Sequence, residues 1–157
     1  MYALPTPTLL ASVMPGRWKV RASNLVHWLS GERLDVGVTI EPVSTDPLVV
    51  SVEENYRTTD GKRRSVFRLS RLTDDGFVGR RGAFSRLSPP RWSVKGLSAD
   101  GAIMVIVHES RRAAEAGMEV LVRSDSDSEG ARAAIAQDWE SYGLTVEDFA
   151  KLSWFAV

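Results

Sequence analysis

The chain has 157 residues, 43% hydrophobic and 25% charged, with 20 basic residues, 20 acidic residues and no cysteine. That length suits one hydrophobic core, so residues 1–157 read as one domain. The even charge balance excludes a bulk nucleic-acid binder. The missing cysteine excludes disulfides, thiolate nucleophiles and Cys-held metals, and no apolar run approaches the ~20 residues of a membrane-spanning helix.

Residues 1–14, "MYALPTPTLLASVM", lack a basic leader and carry Pro5 and Pro7. They read as an N-terminal arm rather than a signal peptide, and a cytoplasmic location is expected. Residues 15–123 carry strand signals. "RWKVRAS" alternates Trp18, Val20 and Ala22 against Arg17, Lys19 and Arg21, and "DVGVTIEPV" does the same with Val36, Val38 and Ile40. "PLVVSVEENYRT", "RRSVFRLSRL", "FVGRRGAF", "RWSVKGL", "AIMVIVHE" and "MEVLVRS" complete eight strands. "TDGK", "TDDG" and "SADG" supply hairpin turns, because Asp-Gly tolerates the positive φ such turns need. Residues 124–157 change period. Ala131, Ala134, Ile135, Trp139 and Tyr142 fall at helical spacing, Gly143 stands as a C-cap, and Thr145 with Asp148 form a capping box. Ile135 and Trp139, four apart, share the face that meets the strands.

Eight strands joined by short turns close most simply into an antiparallel up-and-down β-barrel, here with a C-terminal helix outside it. A sandwich needs long crossovers, and the one long connection is "NLVHWLSGERL", after the first strand.

These residues resemble the lipocalin family of calycin-type barrels. Gly16-Arg17-Trp18 matches its Gly-x-Trp at the start of the first strand, and Arg123 matches its Arg at the end of the eighth. "NLVHWLSGERL" has the length and place of the loop that folds over the open end. The ending from Arg123 to Trp154 is similar to that of bacterial lipocalins. The Thr-Asp-Tyr motif is reduced to Asp100 in "LSADGAI". The resemblance implies that Trp18 plugs the closed end with Arg123 across its ring, making Gly16, Trp18 and Arg123 structural. It also implies that the barrel interior binds a small, mainly hydrophobic molecule.

Strand parity selects Val38, Ile40, Val52, Phe67, Leu69, Trp92 and Val94 as the wall of that interior, with Glu54 and Tyr56 as polar handles. Between Lys62 and Arg91 stand nine bases against Asp74 and Asp75, a candidate site for a fatty acid or other anionic lipid. Arg71 shares parity with Phe67 and Leu69 and is the interior cation expected to orient the anion. Arg81 is the second choice, and Arg64 and Arg68 fall on the solvent face. His27 and His108 are lone histidines without ligand spacing, so no metal and no cofactor is expected. Glu53 and Glu54 point to opposite faces and cannot act as a carboxylate pair, and no catalytic motif is present. Two other readings remain: an isomerase- or cyclase-type enzyme using Tyr56, Glu54 and Arg71, and a protein-interaction module whose barrel is filled by its own side chains.

Overall fold

The computed structural model describes residues 4–80, 89–109, 116–126 and 129–155. Eight strands follow in chain order: β1 (Gly16–Ser23), β2 (Leu34–Thr45), β3 (Leu48–Arg57), β4 (Arg63–Thr73), β5 (Gly76–Gly79), β6 (Arg91–Leu97), β7 (Ile103–His108) and β8 (Gly117–Arg123). Each pairs antiparallel with the next, and β1 pairs with both β8 and β2, so the sheet closes on itself. Closure removes the exposed edges that would otherwise invite aggregation. The Asp-Gly turns do what their chemistry allows: Gly61, Gly76 and Gly101 all have positive φ.

The described part of the arm, residues 4–14, carries a helix despite its prolines. Helix α1 (Pro7–Val13) begins with Pro7 in its first turn, where a missing N–H costs nothing, and Thr6 caps it by accepting from the Leu9 amide. Leu10 and Met14 are buried in the inner cluster beside Trp18, forming the barrel's floor. The Trp18 indole N–H donates to Met14 O at 2.9 Å. Arg123 lies over the Trp18 ring, its Cζ 4.0 Å from the centroid, and donates to Pro15 O and Val13 O. One guanidinium thus fastens β8 to β1 and both to the end of α1. Gly16 has φ +128° and its α-carbon faces the Arg123 fork, where a Cβ would collide. That conformation and that closeness together require glycine.

A second apolar cluster lies outside the barrel wall. Val105 on β7 and Val120 and Val122 on β8 pack against Ala131, Ile135, Tyr142 and Leu144. The covering segment is α3 (Ala131–Gln137), a 3₁₀ turn (Trp139–Tyr142) and α4 (Val146–Lys151). One continuous helix through Tyr142 was expected; instead Asp138 leaves helical geometry at φ −147°. Ile135 is fully buried and Trp139 half-buried against this cluster. Gly143 ends the 3₁₀ turn at φ +70°, and the Thr145–Asp148 capping box starts α4. Strand β9 (Ser153–Trp154) then pairs with Ala22 and Ser23 of β1.

Register corrects one strand face. Val50, Val52 and Glu54 of β3 stand opposite Ser70, Arg68 and Val66 of β4, and residues directly opposite share a face. Phe67, Leu69 and Arg71 therefore point outward, and Phe67 is 62% exposed. They are not interior wall, and Arg71 is not the interior cation. Arg68, expected on the solvent face, points inward. Apolar residues occur on both faces of β4, so hydrophobicity alone assigned the wrong one.

Candidate functional site

The interior has an apolar floor and a charged upper half. Floor and middle are Leu10, Met14, Trp18, Ile40, Val50, Met104 and Leu121, with Phe77 and Trp92 stacked at 4.2 Å. The Trp92 indole N–H donates to Ser70 Oγ at 3.0 Å, which satisfies both buried polar groups.

Above them, near the end that carries α2 (Val26–Leu29), polar side chains converge from five places in the chain. Glu119 comes from β8, the inward residue between Met118 and Val120, and is 4% exposed. It accepts from the Trp28 indole N–H at 2.5 Å, tying α2 down onto the barrel. His108, at the end of β7, places Nε2 3.4 Å from Glu119 Oε2. Glu54 on β3 is 8% exposed. Arg33, just before β2, and Arg68 on β4 each bring a guanidinium nitrogen to 4.0 Å from it, Arg33 to Oε2 and Arg68 to Oε1. The Arg33 guanidinium also lies 4.6 Å from the Tyr56 ring and 5.2 Å from the Trp28 ring, within cation–π range.

Burial, and then the charge of Glu119, raises the Glu54 pKa above the usual 4.5, against the pull of Arg68, His108 and Arg33. Burial pushes His108 toward its neutral form. Glu119, with Glu54 behind it, outweighs burial and holds its pKa above the usual 6.5. The two carboxylates thus resist sharing one small volume, as like charges in low dielectric must.

Beside this cluster opens a cleft of about 1170 Å³. β1 and β2 pair only from Gly16 to Lys19 and then diverge. Val20, Trp28, Val36 and Val38 line the gap from inside, Arg17, Lys19, Arg21, Arg57 and Arg63 also line it, and Arg33 stands where cleft and charged cluster meet. Phe155 closes part of it, its amide bonded to Arg21 O at 2.8 Å.

Of the residues expected inside, Val38, Ile40, Trp92 and Val94 are buried in the inner cluster, and Val52 packs against it half-buried. Glu54 is in the charged cluster, and Tyr56 lies beneath Arg33. Arg81 and the His27 side chain lie outside the described residues. Arg33, His108 and Glu119 escaped the sequence reading as site residues. Glu119 had one signal, a lone acid within an apolar strand. Among the described residues, no group of three or more acids and histidines is arranged to hold a metal ion.

No protein-family model matches this sequence, and no curated protein matches it significantly. Solved structures do match. The siderocalin Ex-FABP, which functions through dual ligand specificities, superposes with a TM-score of 0.60 at 19% identity, over 92% of this chain and 94% of that one. Lobster apocrustacyanin A1 gives a TM-score of 0.62 at 7% identity, over 92% and 78% of the two chains. The bovine lipocalin allergen Bos d 2 gives 0.56 at 13% identity, over 92% and 93%. With its closed eight-strand barrel, its Trp18–Arg123 stack and these matches along nearly its whole length, the chain has the lipocalin fold.

Proposed function

We propose that this protein binds a small, mainly hydrophobic molecule with an anionic head, such as a fatty acid. The apolar body lies along Val20, Val36 and Val38 in the cleft, and the head is received by Arg33 and Arg68. One observation carries this reading. Two guanidinium groups from separate elements converge on one buried carboxylate, each at 4.0 Å, beside a cleft that has an apolar inner wall and basic residues around it. At that distance they are ion-paired without being hydrogen-bonded. A ligand carboxylate that came closer would gain charge-assisted bonds of roughly 1.5–3 kcal/mol. Arg68 remains 43% exposed although its strand face points inward, which leaves water a route to the site. The apolar body supplies about 25 cal/mol per Å² buried.

Titration of decanoate and decanol against the parent, Arg33→Ala and Arg68→Ala tests the reading. Decanoate is expected to bind the parent and to weaken by roughly ten- to a hundredfold in each variant, while decanol binds all three alike. Failure of both ligands to bind the parent would leave the barrel as a self-filled module built around the Phe77–Trp92 stack. Equal decanoate binding by all three proteins would remove the arginines from the site.

A further inference from the structure

Glu54 occupies the place the ligand's head would take. Its two oxygens face Arg33 and Arg68 as a bound carboxylate's would, and it stays buried while doing so. The charged and titratable groups around it are Glu119 from β8, His108 from β7, Arg68 from β4 and Arg33 before β2. They differ in how freely they respond. Glu119 is held by the Trp28 indole and flanked by His108, so its charge has local partners that an arriving anion does not disturb. The groups that favour ionised Glu54 are Arg68, His108 and Arg33, in that order, and two of the three are the arginines the ligand needs.

Resting on the reading above, we propose that Glu54 is an internal competitor for the anionic head, so that the site takes up one proton for each anion it binds. The balance is simple. In the free protein the Glu54 carboxylate neutralises part of the Arg33–Arg68 charge. When the ligand anion takes that place, Glu54 remains buried beside Glu119 without its two arginines, and of the groups that favour its charge only His108 is left. It accepts a proton, and the carboxyl becomes a hydrogen-bond donor. One anion and one proton enter, and the net charge inside the barrel is unchanged.

The direction of the pH effect follows. Binding removes two of the three groups that favour ionised Glu54, Arg68 and Arg33, so the bound form holds the proton more tightly than the free form. Affinity then rises as pH falls, with a slope of at most about tenfold per pH unit for a single proton. It levels off once Glu54 is already protonated in the free protein.

Decane-1-sulfonate, below its micelle-forming concentration, is the suitable probe because its head keeps its charge throughout. Calorimetric titration in two buffers of different ionisation enthalpy counts the protons taken up. The parent is expected to take up protons on binding, approaching one per anion, and to bind more tightly at about pH 6 than at about pH 8, by up to the roughly hundredfold that one proton allows over two pH units. Glu54→Gln is expected to bind more tightly than the parent at about pH 8, to take up no proton and to lose the pH slope. A gain of affinity is a result that a merely damaged barrel does not produce. Proton uptake that persists in Glu54→Gln would move the titrating group to His108 and overturn the proposal. So would sulfonate binding by the parent with no uptake, which leaves the anion site itself standing. No sulfonate binding at any pH would sink the anion site and the proton coupling together, with decanol showing whether the cleft still takes an uncharged chain.

Discussion

At the scale of single residues, the arrangement around Trp18 shows how few side chains decide whether the barrel closes. Trp18 is almost wholly buried, its ring covered by Arg123 and its indole N–H bonded to Met14 O. Trp18→Ala is expected to cost about 3–5 kcal/mol, the range for emptying a large aromatic site. Urea unfolding followed by far-UV circular dichroism measures it, and a parent-like midpoint would show that the floor holds without the ring. Gly16, Trp18 and Arg123 were legible in the sequence through the lipocalin resemblance, which implies their roles, and the structure supplies the physical reason each residue type is needed. The charged cluster was far less legible. Its members come from β3, β4, β7, β8 and the segment before β2, and only their side-chain chemistry is local; their meeting is set by the closed sheet.

At the scale of elements, alternation and turn chemistry are properties of neighbouring residues, so the order and number of barrel strands could be read directly. Which face of β4 points inward could not. "RRSVFRLSRL" has apolar residues on both faces, and the register against β3 decides the matter. Apolar Phe67 and Leu69 consequently lie on the outer surface, while Ser70 and Arg68 serve the interior. α3 illustrates the opposite case, in which period and packing agree. Ile135 is fully buried against β7 and β8, and Ile135→Ala should cost about 2–5 kcal/mol. Thermal unfolding of that variant is the measurement. If its midpoint stays within a degree or so of the parent's, the outer cluster contributes little and the barrel stands alone. The break at Asp138 went unread because Trp139 and Tyr142 keep helical spacing across it while the backbone tightens to a 3₁₀ turn.

At the scale of the whole molecule, the polar interior sets a pH dependence of its own. Glu54 and His108 both have folded-state pKa values raised above the usual 4.5 and 6.5. A group raised in this way contributes stability that is fully present below its unfolded pKa and is lost as pH rises through its folded pKa. Asp60 and Asp100, held by turn hydrogen bonds, are lowered from 3.8 and act the other way only in stronger acid. The melting temperature is therefore expected to fall between about pH 5 and about pH 8. Glu54→Gln should flatten part of that fall, and a temperature rising with pH would contradict the placement of Glu54 and His108. The wall carries a further consequence, where β1 loses β2 after Lys19 and takes β9 on the same edge. Among the described residues, the rungs at Ala22 and Ser23, the Phe155 amide on Arg21 O and the Arg21 guanidinium on Phe155 O hold β9 there. With so few backbone rungs, and with Trp154 and Phe155 only half-buried against the two clusters, this segment is expected to open at less than the cost of global unfolding. The side wall between β1 and β2, rather than the floor, is therefore the part of the barrel expected to open first, and faster hydrogen exchange at the Ala22, Ser23 and Phe155 amides than at β7 and β8 is the measurement that checks it.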